Sequence, residues 1–475
     1  MTGHDAELSA AGTYIRQSVE SSFMSASNPA PNSTPSSAPL RIAIAGLGTV
    51  GAGVIRLLDT NRDLIAARAG RAIEVTAVSA RDRSKDRGVD HARFHWEDDM
   101  TALAARDDVD VVLELVGGSD GPALALSRAT LAAGKGLVTA NKAMIAHHGL
   151  ALAHQAEAAE APLKFEAAVA GGIPVVKGLR EGTSANALTK VYGILNGTCN
   201  YILSEMEATG ADFAETLAEA QRLGYAEADP TFDIEGIDAA HKLSILAAIG
   251  FGAKVDFANV RTTGIVAVRA ADIAQADTLG FVIRLIAEAD VQGTGDNATL
   301  LQRVRPCLVA KDHPLAPVDG PTNAVVAEGN FSGRLLFQGA GAGDGPTASA
   351  VVADCIDIAR VFGNGGEVGA PFSMPVAQLV PFGPAEPGDR LERAYLRFTV
   401  NDRPGVLAEI TAAMRDADVS IESLIQQGRR TDGGEVLVAI VTHEGPERNV
   451  AKALELLEGS DSLTDAPLVL PILPA

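Results

Sequence analysis

The sequence is poor in cysteine, in positive charge and in long apolar runs. Its three cysteines, Cys199, Cys307 and Cys355, are odd in number and far apart. They offer no disulfide framework and no zinc-ligand spacing, which points to a reducing, cytoplasmic setting. Lysine and arginine total 39 against 60 aspartate and glutamate, a net charge of -21. Nucleic acid and anionic membrane both require a basic face, so neither is expected as a partner. No uninterrupted apolar run reaches the roughly 18 residues of a membrane helix. The first residues carry Asp5 and Glu7 and lack the basic start and apolar stretch of a signal peptide.

What remains is an ordinary soluble balance, 47% hydrophobic and 21% charged over 475 residues, long enough for about three domains. Residues 1–39 include a run from Ser25 to Pro39 rich in Ser, Pro, Ala and Asn, which reads as a disordered extension. Met24 offers an alternative start within it. Folded sequence begins with Arg41-Ile-Ala-Ile-Ala-Gly-Leu-Gly-Thr-Val-Gly51. A short strand, then Gly46, Gly48 and Gly51, then an apolar helix pattern is the context in which such glycines bind a dinucleotide. The helix start would face the pyrophosphate. Strand-like runs at 73–79, 109–116 and 135–139 extend this into a doubly wound α/β domain over residues 40–162. After the second of the four strands stand Ser79, Arg81, Arg83 and Lys85 in place of the usual carboxylate. That suits the 2′-phosphate of NADP, although Asp82 lies close by and NAD is also admissible. Asn141-Lys142 follows the fourth strand at its carboxyl end, where ligands bind.

A second domain is expected over 163–344. Lys164 to Pro174 reads as a strand entering a glycine turn, whose carbonyls with Glu166 could hold a monovalent cation. Phe213 to Leu223 is an amphipathic helix closed by Gly224. The stretch from Tyr225 to Gly250 opens as a loop dense in carboxylates (Glu227, Asp229, Asp233, Glu235) and becomes an apolar helix. Asp238 and Lys242, four apart, share one face at its polar mouth. A partly desolvated lysine there is suited to proton transfer; the plain alternative is a solvated helix pair worth about 0.2–0.5 kcal/mol. Helix is expected at 278–289 and strands at 300–306, 322–327 and 335–339. A loop of four glycines precedes a helix at 345–362 that should return to the first domain. Residues 363–392 read as a linker. Residues 393–475 follow a βαββαβ order, the ferredoxin-like plan.

Read together, Gly46-x-Gly-x-x-Gly51, Asn141-Lys142, Asn196-Gly-Thr, Gly224-Tyr-Ala-Glu-Ala-Asp-Pro, Asp238-x-x-x-Lys242 and Gly341-Ala-Gly-x-x-Pro-Thr resemble homoserine dehydrogenase, from about residue 40 onward. The last unit resembles an ACT domain, with Asn401, Asp402, Gly405, Val406 and Leu407 on its ligand-binding turn. The resemblance implies a Rossmann-type domain, an α+β substrate and dimerisation domain, and a C-terminal ACT domain. It implies interconversion of L-homoserine and L-aspartate 4-semialdehyde, towards threonine, methionine and isoleucine, in a homodimer or homotetramer responding to threonine. By position, Lys242 matches the catalytic lysine with Lys142 assisting, and Glu227 and Asp238 match the substrate carboxylates. Thr49, Val50, Lys142, Gly224 and Gly343 match cofactor contacts; Glu166, Val169, Gly171 and Ile173 match a sodium-binding loop.

Two rivals stay open. An ACT-bearing hydroxy-acid dehydrogenase would use a histidine, and His241 is adjacent to Lys242 but points about 100° away on a helix. A nucleotide and amino-acid sensor with a dead site would bind cofactor without turnover.

Overall fold

A computed structural model describes residues 38–293, 295–427 and 435–474. The expected extension over 1–39 and the start at Met24 lie outside those residues, save the last two of the extension. The chain first builds a parallel sheet from β1 (Leu40–Ala45), β2 (Ile73–Ser79), β3 (His95–Trp96), β4 (Val111–Glu114), β5 (Gly136–Thr139) and β6 (Leu163–Lys164), ordered β3-β2-β1-β4-β5-β6. Helices α1 (Thr49–Thr60), α2 (Arg62–Ala69), α3 (Pro122–Ala132) and α4 (Lys142–Ala158) make the crossovers. Buried β-branched and leucine side chains on both faces of the central strands require cover from two helical layers. Part of that cover comes from far along the chain. Val351, Cys355 and Ile358 join Ile42, Ile44, Val111 and Leu113 in one core.

The middle of the chain forms β7 (Leu188–Ile194), α5 (Gly197–Thr209), α6 (Phe213–Leu223), α7 (Ile237–Phe251), α8 (Ala270–Thr278), β8 (Phe281–Gln292), β9 (Thr299–Ala310), β10 (Thr322–Gly329) and β11 (Gly333–Ala340). Every residue of α7 from Asp238 to Ile249 is buried, as befits a helix apolar nearly all round. Helix α9 (Asp344–Asn364) carries the buried residues that complete the first domain's core.

The expected helix at 278–289 is instead strand β8, paired antiparallel with β9 from Phe281↔Ala310 to Thr299↔Gln292. Its residues from Val282 to Asp290 are all buried. A strand covered on both faces loses the two-residue alternation that distinguishes it from a helix.

The C-terminal unit comprises β12 (Leu391–Asn401), α10 (Val406–Asp416), β13 (Ile421–Gln427), β14 (Glu435–Thr442), α11 (Glu447–Leu456) and β15 (Leu468–Ile472). Its sheet order, β15-β12-β14-β13, is antiparallel throughout and matches the ferredoxin-like expectation. It does not stand apart. Leu308 of β9 pairs with Ile472 of β15, and Leu473 N donates to Leu308 O at 2.8 Å. The middle and C-terminal sheets therefore run on as β11-β10-β7-β8-β9-β15-β12-β14-β13.

Candidate active site

Three glycines shape the turn after β1, each for a different reason. Gly46 has φ +101°, and a Cβ there would stand 2.6 Å from Leu115 O. A Cβ on Gly51 would stand 2.1 Å from Gly46 O, so the first turn of α1 can close onto the strand only without one. Gly48, the residue before α1, faces open space. Such a turn lets a pyrophosphate approach bare backbone at a helix start. Thr49 and Val50 form the first residues of α1, and Val50 lines the large cavity described below. Arg81 is exposed on the loop after β2. That loop is tied to the glycine turn by Arg87, whose Nε donates to Leu47 O at 2.8 Å. Asp82 is engaged locally, accepting from Ser84 N at 2.8 Å and Oγ at 2.6 Å. These two bonds hold its carboxyl below the usual range.

A cavity of about 1060 Å³ opens between the first domain and the middle one, lined among others by Val50, Lys142, Gly171, Asn196, Gly224, Asp233, Asp238, Lys242, Asn323 and Gly343. At its floor Lys242 Nζ donates to Asp238 Oδ2 at 2.6 Å and to Leu195 O at 2.6 Å. Lys142 Nζ stands 3.1 Å from Asp238 Oδ1. Asn196 Nδ2 reaches Asp238 Oδ2 at 2.9 Å and Asp233 Oδ1 at 2.7 Å. Asn323 Nδ2 shares the Leu195 carbonyl at 2.9 Å.

Local sequence explains each placement. Asn196 caps α5 through its Oδ1, which accepts Cys199 N at 2.7 Å, leaving its amide nitrogen free to point at the two carboxylates. Asp238 lies in the first turn of α7, where the helix dipole favours an anion. Burial would raise its carboxyl, but Lys242 and Lys142 outweigh that and hold it well below the usual range. Asp233 behaves differently: burial and then the Asp238 charge push it up. Lys142 begins α4, an end that disfavours a cation. Its contact with Asp238, across the domain boundary, offsets that cost.

Glu227 is exposed on the loop after Gly224 and does not line the cavity. Its backbone carbonyl accepts from Gln221 Nε2 at 3.0 Å. Glu166 is buried, and its carboxylate accepts Val176 N and Lys177 N, both at 2.9 Å. Its side chain thus braces the backbone that follows the glycine turn; Val169, Gly171 and Ile173 within that turn are all buried, and Gly171 alone of the three lines the cavity. Gly171 (φ +53°) is packed so that a Cβ would meet Gly341 O at 2.5 Å. Gly343 (φ +117°) precedes α9 at the cavity wall. In the C-terminal unit, Asn401, Asp402, Gly405, Val406 and Leu407 come together around a separate cavity of about 570 Å³. Cys199 is buried, its Sγ 3.1 Å from Asp233 O.

The geometry is a nucleotide-type turn facing paired lysines and carboxylates. The family model "Homoserine dehydrogenase" matches residues 174–356, and "Homoserine dehydrogenase, NAD binding domain" matches residues 46–166. Residues 394–459 match the ACT domain model. The homoserine dehydrogenase of Corynebacterium glutamicum is 44% identical over 435 residues, covering 90% of this chain and 95% of its own length. The chain belongs to the homoserine dehydrogenase family. It is an oxidoreductase acting on a CH–OH group, with an NAD(P)-binding domain. A solved homoserine dehydrogenase from Thiobacillus denitrificans superposes with a TM-score of 0.85 at 39% identity, covering 92% of this chain and 98% of that one. A hyperthermophilic archaeal homoserine dehydrogenase, solved in complex with NADPH, is 25% identical with a TM-score of 0.57, covering 67% of this chain and 97% of that one. Membership sets aside both the hydroxy-acid dehydrogenase and the inactive sensor readings.

Sequence reasoning gave no role to Asp233, Asn196 or Asn323. For Asn196 a signal existed: an asparagine directly before Gly-Thr-Cys at a helix start is a cap whose side chain must turn inward. Asn323 lies inside strand β10 and carries no local mark.

Proposed function

We propose that the chain interconverts L-homoserine and L-aspartate 4-semialdehyde with NADP as the preferred cofactor, NAD remaining usable, and with Lys242 as the proton-transfer group. The Lys242–Asp238–Lys142 cluster at the cavity floor carries this reading. When bound, the nicotinamide supplies or accepts the hydride. Lys242 Nζ holds a proton beside the substrate oxygen, stabilising negative charge on it and then protonating it. Among the described residues two of its three donor positions are occupied, by Asp238 and Leu195, which leaves one for that oxygen. Asp238 orients the ammonium of Lys242 and supplies negative charge for the substrate ammonium, with Asp233 beside it. Glu227 joins them when the loop after Gly224, a residue at φ +81°, folds inward. Lys142, at the seam of the two domains, reaches the substrate oxygen or carboxylate.

Arg81 and its basic neighbours support the NADP preference, as does the NADPH bound to the archaeal relative. The turn of Val169, Gly171 and Ile173 with Glu166 suits a sodium ion through backbone oxygens. Threonine is the proposed effector of the cavity around Asn401 and Gly405. A cytoplasmic homodimer or homotetramer serving threonine, methionine and isoleucine biosynthesis completes the reading. The deciding measurement is NADP- against NAD-linked oxidation of L-homoserine, with and without threonine and sodium, in wild type and Lys242→Ala. Wild-type turnover in the variant would remove Lys242 from the mechanism.

A further inference from the structure

Behind the lysines a second contact joins the same two helices. His147 lies on α4 five residues after Lys142, and His241 lies beside Lys242 on α7. Their Nε2 atoms are 3.3 Å apart. His241 is 3% exposed, with the Phe257 ring 4.2 Å and the Phe232 ring 5.4 Å away between centroids. His147, itself exposed, closes the group at 4.9 Å from Phe257. Phe232 also receives Lys142 Nζ, 5.9 Å from its ring centre, and precedes Asp233. One imidazole therefore touches the helix that presents Lys142 and the short helical turn, Thr231–Ile234, that presents Asp233.

That imidazole is not placed to react, since it does not line the cavity. Burial, then His147 and Lys142, push it down to about 4, so it is neutral near pH 7 and one Nε2 donates to the other. Among the described residues its Nδ1 has no partner, so the His147 contact is its one side-chain hydrogen bond. Helix α4 belongs to the cofactor domain and α7 to the substrate domain. Their spacing sets both the Lys142–Asp238 separation and the distance from cofactor to substrate.

We infer that His241 is a positioning residue: its bond to His147 and its tilted ring contacts with Phe257 and Phe232 hold the α4–α7 seam where Lys142 meets Asp238. This rests on the roles proposed above for Lys142 and Asp238. A misplacement of about 1 Å at reacting groups costs up to ~100-fold in rate, so losing a single seam bond should be visible as a smaller drop.

The test compares His147→Phe, His241→Phe, the double variant, His241→Gln and Lys142→Ala in steady-state oxidation of L-homoserine. His147→Phe and His241→Phe should each lower kcat about tenfold, with KM for homoserine and NADP within about twofold. The double variant should be no slower than either alone, and His241→Gln, which keeps a polar group able to reach His147, should recover most of the rate. His147 is exposed, so its variant tests the seam even if His241→Phe does not fold. Wild-type kcat in His147→Phe, losses that multiply in the double variant, or a loss confined to KM would overturn the inference. If Lys142→Ala turns over normally, the reading of Lys142 fails instead. If Lys142→Ala is impaired while both histidine variants are normal, only the seam inference fails.

Discussion

Two buried clusters of charge in this molecule use the same residue types to opposite ends. Between the middle and C-terminal units, Glu288 on β8 accepts Arg303 Nε at 2.9 Å, Lys190 Nζ at 2.8 Å and Arg390 Nη2 at 2.8 Å. Glu392 on β12 pairs with Arg303 at 3.1 Å and Arg305 at 2.6 Å. Glu288 is enclosed by three cations, while Glu392 and Glu447 beside it border a smaller cleft of about 310 Å³. Burial would raise Glu288, but Arg303, Lys190 and Arg390 hold it far below the usual range. The Asp238 cluster has the same ingredients but opens on the cavity, with a donor of Lys242 and the elevated Asp233 left facing it. A closed cluster fixes one arrangement of sheets; an open one has capacity for a ligand. Functional charge is recognised by what it leaves unfilled.

The comparison can be broken in graded steps. The largest effect should come from the closed cluster: Glu288→Gln takes the shared carboxylate from buried Arg303, from Arg390 and from Lys190, leaving Arg303 with Glu392 and Arg390 with Asp290, and should cost about 3–5 kcal/mol of stability, with kcat of the remaining folded enzyme preserved. Chemical denaturation beside kinetics checks this, and an undisturbed midpoint would show the cluster to be dispensable. In the open cluster the signs reverse. Lys242→Ala should cut turnover by at least ~100-fold while cofactor affinity, read by fluorescence titration, stays unchanged. A third step concerns the seam between α4 and α7. His241 falls from the usual 6.5 to about 4. In that window the unfolded chain binds the proton and the folded chain does not, so stability is full above pH 6.5 and falls as pH drops towards about 4. His241→Phe should flatten that part of the curve. The smallest effect belongs to an exposed pair: Arg222, 2.5 Å from Glu219 on α6. Arg222→Ala should change stability by less than about 0.5 kcal/mol, and a larger loss would mean surface pairs matter here as much as buried ones.

Much of the site was legible in the chain itself. The glycine turn and the Asp238–Lys242 spacing lie within short segments, where local periodicity and backbone demands speak directly. The Lys142–Asp238 contact was not legible, because 95 positions separate neighbours that only the docking of α4 on α7 brings together. Glu227 shows the converse. Its motif resembles that of a substrate residue, yet its loop leaves it exposed and outside the cavity lining, a placement that spacing cannot describe. β8 was misread because burial on both faces erased the alternation a strand otherwise displays.

Local sequence alone therefore determined the nucleotide turn, the capped helix after Asn196, the lysine–aspartate pair on α7 and the βαββαβ order of the C-terminal unit. Each depends on backbone preference and side-chain spacing within one or two elements. The return of α9 to the first domain was expected from the sequence and is what the core shows; tertiary structure decided that Leu308 and Ile472 join two sheets into one, and that a lysine at the start of α4 faces a carboxylate on α7. Those arrangements satisfy apolar surface, strand edges and charge that no single segment can satisfy alone.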